Sequence, residues 1–241
     1  MTESVDLNAD VGEGFGRWSL GDDDGLMAVI TSANVACGFH AGDPTVIRAT
    51  CRAAAAAGVA IGAQVSYPDL AGFGRRFVDM EPGELTDAVL YQLAALEGIA
   101  RVEGTRVRYL KPHGALYNTM VHHESQAAAV VEAIVAHGRN LPVLGLPGSW
   151  IHRIAVERGV GAVTEGFADR GYTDAGTLIP RGQPGALLIE GEAVRAQTVL
   201  LLDQGVASIC VHSDTPGAAM LAAVVRNTIA SSGRIPAPFA P

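Results

Sequence analysis

The feature that most constrains this chain is a repeated rhythm. A short apolar run is followed by a polar cluster and then by a longer helical pattern, from one end of the sequence to the other. SVDLNAD (4–10), ANVACG (33–38), VAIGAQV (59–65), VRYLKPHG (107–114), PVLGL (142–146), GAVTEG (161–166), ALLIE (186–190) and ASICVHSD (207–214) read as the strand runs. Between them the helical patterns cover 22–32, 43–58, 81–103, 124–138, 149–159, 193–205 and 216–231. Asp43 suits an N-cap, Pro44 a first turn and Gly58 a C-terminal stop. Leu85, Val89, Leu93, Leu96 and Ile99 form one helical stripe. Residues 66–80 and 167–183 are long polar loops, and the proline-rich tail 235–241 is expected to be non-helical and to lie over the surface. About seven βα units in one series predict an α/β fold with a parallel sheet. A closed or nearly closed (β/α) barrel suits them better than an open sheet. No linker or composition break divides the 241 residues, so residues 1–241 are expected to form one barrel-like domain.

Composition excludes several classes. With 49% hydrophobic and 17% charged residues the chain is not of the disordered type. A net charge of −8 makes nucleic acid and anionic membrane surfaces unsuitable partners. No apolar run is long enough to span a bilayer and the N-terminus lacks a signal-peptide pattern, so a cytoplasmic location is expected. Cys37, Cys51 and Cys210 are odd in number and far apart, which predicts reduced, packed thiols. VGEGFG (11–16) follows the first strand, but its glycine spacing is wrong for a dinucleotide fold and Glu13 would meet a pyrophosphate. No P-loop, G-x-S-x-G or H-E-x-x-H occurs.

The polar residues cluster where strands end. Asp6, Asn8 and Asp10 are read as following the first strand, Asn34 and His40 the second, Ser66 and Asp69 the third, and Lys111 and His113 the fourth. Glu165, Asp169 and Arg170 are read as following a later strand, and His212 and Asp214 the last. In parallel α/β folds the loops after the strands open on one face, so these clusters are expected to converge in one bowl. Asp6, Asn8 and Asp10 are two apart and project to one side if extended. Neighbouring carboxylates there make either an acid/base pair or a cation site, with an acidic helix cap as the structural alternative. Lys111 and His113 share a side, and a lysine beside a histidine favours a neutral imidazole. His40 stands between small residues that allow close approach of a ligand. Arg75, Arg170 and Arg181 offer forks for carboxylate or phosphate, with loop salt bridges as the alternative. His122, His123, His137 and His152 are expected at the surface.

Seven stretches together resemble the LamB/YcsF family, which includes the A subunit of bacterial ATP-dependent 5-oxoprolinase. They are DLNADVGEGFG (6–16), ANVACGFHAGDP (33–44), SYPDLAGFGRR (66–76), KPHGALYN (111–118), FADRGY (167–172), LIPRGQPGA (178–186) and VHSDTPGA (211–218). The resemblance implies a barrel related to those of glycoside hydrolases and carbohydrate deacetylases. It implies ATP-coupled opening of 5-oxo-L-proline to L-glutamate, with Mg²⁺, alongside subunits B and C. Where the family reads GAHPSYPD this chain reads GAQVSYPD, so Gln64 stands in place of a histidine. The expected catalytic set is Asp6, Asn8, Asp10, His40, Lys111 and His113, with Asp10 or Asp6 as the base that activates water and His113 as the acid on nitrogen. His40 and His212 would orient groups or stabilise charge. Arg75, Tyr117, Asp169, Arg170, Arg181, His212 and Asp214 would bind substrate. Two rival readings stand beside this one. The first is a metal-dependent deacetylase-like hydrolase, with Asp6, Asp10, His40, His113 and His212 around an ion. The second is a non-catalytic, substrate-binding component of a complex. A homo-oligomer is compatible with the sequence.

Overall fold

The computed structural model describes residues 3–240. Among the described residues eight strands and eight helices follow in the order β1 (Ser4–Val11), α1 (Asp23–Met27), β2 (Ser32–Ala36), α2 (Pro44–Ala57), β3 (Ala60–Val65), α3 (Pro82–Val102), β4 (Val107–Pro112), α4 (Gly114–Thr119), α5 (Glu124–His137), β5 (Val143–Gly145), α6 (Trp150–Glu157), β6 (Ala162–Phe167), α7 (Gly191–Asp203), β7 (Ser208–Val211), α8 (Ala218–Ser231) and β8 (Ile235–Pro236), alternating except where α5 follows α4. Strands β1 to β7 pair in parallel in sequence order, and β1 pairs with both β2 and β7, so the sheet closes into a seven-stranded barrel.

The alternation within each strand divides the barrel into two environments. On β1, Val5, Leu7, Ala9 and Val11 join the apolar cluster shared with the surrounding helices. Their neighbours Asp6, Asn8 and Asp10 are buried too and hydrogen-bond inside the barrel to residues of β2, β6 and β7. The helices follow from local chemistry. Asp43 accepts from the backbone N–H groups of Thr45 and Val46, Pro44 opens α2, and Gly58 ends it in the left-handed conformation. Leu85, Val89, Leu93 and Leu96 of α3 are fully buried, while Ile99 packs at the margin of the same core.

Three local expectations change. ALLIE forms no strand: a single antiparallel bridge joins Leu187 to Arg170, and Leu187 and Ile189 are exposed. The barrel closes with seven strands and offers this run no edge. The tail does not simply lie on the surface. Ile235 and Pro236 pair with Ser4 and Val5, which extend β1 beyond its register with β2 and β7. This brings Phe239 against Tyr109, with ring centroids 4.9 Å apart. No periodicity in the sequence marks α4, a short helix placed directly after His113.

Candidate active site

The barrel interior is a polar stack with a lower and an upper part. At the bottom, Asp6 accepts hydrogen bonds from Thr31 Oγ1 and Ser32 Oγ, both at 2.6 Å, and from Ser208 Oγ. Burial pushes the Asp6 carboxyl up to about 6, against the pull of those three hydroxyls. Gly62 leaves the space that the Tyr109 ring fills, since a Cβ there would lie 2.1 Å from Cε2. The Tyr109 hydroxyl donates to Asn34 Oδ1 at 2.6 Å.

Lys111 lies above this layer and is the buried cation of the lumen. Its Nζ donates to Glu165 Oε1 at 2.7 Å, Asn8 Oδ1 at 3.0 Å and Cys210 Sγ at 3.1 Å, and lies 3.6 Å from Asp10 Oδ1. Burial disfavours its charge, but the surrounding acidic groups outweigh burial and hold its pKa well above the ordinary value. Asp10 shows the complementary effect. Burial opposes ionisation, yet Lys111, with a hydrogen bond from Asn34 at 2.9 Å among other donors, lowers its pKa. Asn8 completes the network by donating to Glu165 Oε1 at 2.9 Å and Ser208 Oγ at 2.8 Å.

The upper part is built from the loops that follow the strands. Gly12, with φ of 68°, turns the chain after β1 and brings Glu13 inward. Glu13 Oε2 accepts from Ser213 Oγ at 2.6 Å, and Oε1 accepts from Gln64 Nε2 at 3.2 Å and lies 3.6 Å from His113 Nε2. Burial, and then the Asp10 charge, push the Glu13 carboxyl up to about 8. His40 Nε2 lies 3.0 Å from Gln64 Oε1. The His40 and His113 rings stack at 4.2 Å with 20° between their planes, and Nδ1 of each has no hydrogen-bond partner. Burial pushes His40 down to about 4. It holds His113 well below its ordinary value as well, followed in effect by His40 and Arg75.

On the other side of the mouth, His212 Nδ1 lies 3.0 Å from Asp169 Oδ1. Asp169 also accepts from the His212 backbone N–H at 3.1 Å and from Thr215 Oγ1 at 2.6 Å. Burial would raise the Asp169 pKa, but His212 and these donors outweigh it and lower it. The His212 ring stacks on Phe167 with centroids 5.0 Å apart. Arg75 and Arg181 both reach Asp214, at 2.7 and 3.3 Å. Arg170 is used differently: it donates to the carbonyls of Ala186 at 2.9 Å and Ile179 at 2.6 Å, and so braces the second long loop.

A cavity of about 500 Å³ opens over these groups, bordered by Asp10, Lys111, His113, His212, Arg75 and Arg181. Tyr117, Phe167, Leu146 and Leu178 supply an apolar wall. Of the residues expected from sequence, Asp10, Lys111, His113, Arg75, Tyr117, Arg170, Arg181 and His212 line it. His40 stands behind His113, Asp169 behind His212, and Asp214 between the two arginines. Asp6, Asn8 and Asp10 stand within β1, Lys111 within β4 and Glu165 within β6 rather than in the loops that follow, because their side chains alternate into the barrel interior, and Asp6 and Asn8 lie deepest, in the hydrogen-bonded stack. Glu13 is absent from the expected set, and Glu165, placed among the converging clusters, carries no expected role. The signal for Glu13 is a lone acid among glycines, and for Glu165 an acid in an otherwise apolar strand. One donor atom from each of Glu13, His40 and His113 falls within 4.8 Å of the others, an arrangement that can hold a metal ion. His123 caps α5 and His152 lies 3.0 Å from the Val163 carbonyl, so both have structural roles.

Comparison with known proteins agrees with this architecture. A family model described as the LamB/YcsF family matches residues 5–241. A protein of Kocuria rhizophila, named as the A subunit of 5-oxoprolinase, is 56% identical over 95% of this chain and 96% of its own length. One of Streptomyces avermitilis with the same name is 54% identical over 98% and 100%. The crystal structure of a lactam utilization protein from Thermus thermophilus superposes with a TM-score of 0.91 at 35% identity, covering 98% of this chain and 100% of that one. A family 4 carbohydrate esterase from Streptomyces lividans, covering 99% and 93%, shares the fold with a TM-score of 0.57 at 13% identity. The match of the family model to residues 5–241, with relatives this similar over nearly their whole length, establishes that the chain belongs to the LamB/YcsF family.

Proposed function

We propose that this chain is the lactam-hydrolysing component of an ATP-dependent 5-oxoprolinase and opens 5-oxo-L-proline to L-glutamate together with partner subunits B and C. The names of its close relatives support the substrate and the complex. The observation that carries the reading is one cavity bordered by an ionised carboxylate, a carboxylate-oriented histidine and a pair of arginines. A lactam carbon is a poor electrophile, and ATP consumed in the complex, with Mg²⁺, would supply activation of its oxygen. The chain has no P-loop of its own, in keeping with ATP use that requires the partners.

The residues divide the remaining work. Asp10, held ionised by Lys111, takes a proton from water as its oxygen attacks the lactam carbon. His212, fixed by Asp169 through Nδ1, delivers a proton to the ring nitrogen as the C–N bond breaks, leaving the amine and an acyl phosphate that a second water hydrolyses to the carboxylate of glutamate and inorganic phosphate. This proposal moves the acid role from His113 to His212, because burial holds the His113 pKa well below its ordinary value while Asp169 fixes the His212 ring through Nδ1. Arg75 and Arg181, which share Asp214, turn to the substrate carboxylate or to phosphate. Tyr117 and Phe167 pack against the ring.

The test is glutamate release from 5-oxo-L-proline with ATP, by the purified chain alone and after addition of subunits B and C. Turnover is expected only in the mixture. Equal turnover by the isolated chain without ATP would overturn the proposal. So would no turnover in a mixture whose B and C partners are active with the equivalent chain of a relative.

A further inference from the structure

From the cluster at the barrel mouth we infer that Glu13, His40 and His113 form a binding site for one divalent transition-metal ion of the zinc class. The inference concerns the same site as the lactam reading, but its test reads metal occupancy, so either can fail without the other.

Three separate loops deliver the donors: those after β1, β2 and β4. All three side chains are buried, and one donor atom of each lies within 4.8 Å of the other two. Ligands at about 2.0–2.1 Å around a tetrahedral ion stand roughly 3.3 Å from one another, so small side-chain adjustments close the set. Two imidazoles and one carboxylate match a zinc-type donor set.

As a purely hydrogen-bonded cluster these residues are incomplete. The two imidazoles stack face to face, and Nδ1 of each is buried without a partner.

The surroundings suit a ligand set. Ser213 holds Glu13 Oε2 at 2.6 Å, and the Gln64 amide bridges Glu13 Oε1 and His40 Nε2 at 3.2 and 3.0 Å. Such supporting contacts orient metal ligands. Asp10 and His113 border the cavity, so a position on the ion opens toward substrate, as in zinc sites that keep one coordination place free. Gln64 marks where a fourth protein donor would stand.

The experiment uses the full chain, stripped with a chelator and titrated with Zn²⁺ against a competing indicator, and with Co²⁺ read by its visible ligand-field absorption. One ion per chain is expected to bind. Glu13→Gln and His113→Ala, checked for folding by thermal melting, are expected to weaken binding by roughly 10²-fold. His137→Ala, on α5 away from the cluster, is expected to bind as the parent does. Gln64→His adds a donor to the parent set and is expected to tighten binding about tenfold or more. No stoichiometric binding by the folded parent overturns the inference. So does unchanged affinity in folded Glu13→Gln and His113→Ala. If those two do not fold, unchanged affinity in Gln64→His overturns it instead.

Discussion

The lower and upper parts of the barrel interior are both polar and largely buried, but they are finished differently. Below, Asp6 accepts from three hydroxyls, and the Tyr109 ring fits over Gly62 with Phe239 beside it. Above, two imidazole nitrogens lack partners, Glu13 is held close to Asp10, and a cavity admits a ligand. Buried polar groups that satisfy one another specify a structure. Groups held in place and left unsatisfied are available for chemistry. The difference separates the carboxylates of β1 by height alone: Asp6 belongs to the closed layer and Asp10, four residues on, to the open one.

The strongest way to break this division is to remove charge at the top. Asp10→Asn keeps the shape but removes the proposed base, and is expected to lower kcat of the chain assayed with subunits B and C by about 10³-fold. A drop of less than tenfold would take Asp10 out of the chemistry. Asp169→Asn is expected to cost roughly 10²-fold, because an amide cannot hold the tautomer of His212 that a carboxylate fixes. Asp169 is a positioning residue, so its loss should also change the pH profile of kcat. A lower melting temperature with unchanged kcat and pH profile would make it structural.

Much of the fold is legible because strand chemistry leaves a period of two. Asp6, Asn8 and Asp10 can be placed on one side of β1 from spacing alone. Their division into two layers is not legible, because it depends on Ser208 and Thr31 meeting one carboxylate and Lys111 the other. Those partners are remote in sequence. Glu13 reads only as an obstacle to a pyrophosphate, since nothing local shows Gly12 turning it toward His113. ALLIE and the tail mislead for a shared reason. Pairing depends on which strand edges remain free, and the closed sheet leaves one only beside Ser4 and Val5.

At the bottom the expected effects are on stability. The folded-state pKa of Asp6, about 6, lies above its ordinary value of 3.8. Between those values the native state binds more protons than the unfolded chain, so stability falls as pH rises. The contribution is fully present below pH 3.8 and lost once pH passes about 6, a span of roughly 3 kcal/mol. Asp6→Asn removes that titration. Melting temperatures measured from about pH 4 to 7 should therefore decline less steeply in the variant than in the parent. Parallel declines would show that Asp6 does not titrate in this range.

The smallest expected effect sharpens the comparison most, because it alters the lower layer through shape alone. A Cβ at Gly62 would stand 2.1 to 2.6 Å from three atoms of the Tyr109 ring. That ring is fully buried and anchored through its hydroxyl to Asn34, with Phe239 on another side. Gly62→Ala must displace it, at a cost of about 1–3 kcal/mol in urea unfolding. Phe239→Ala should be destabilising alone, but it gives the ring room to move. The double variant is then less destabilised than the sum of the singles. Turnover per folded molecule should remain near the parent value throughout, because Asp10, His113 and His212 border a cavity that Gly62 and Phe239 do not reach. Simple additivity would show that Phe239 does not confine the ring. A large loss of kcat in folded Gly62→Ala would show that the two layers move together and that the division drawn between them is false.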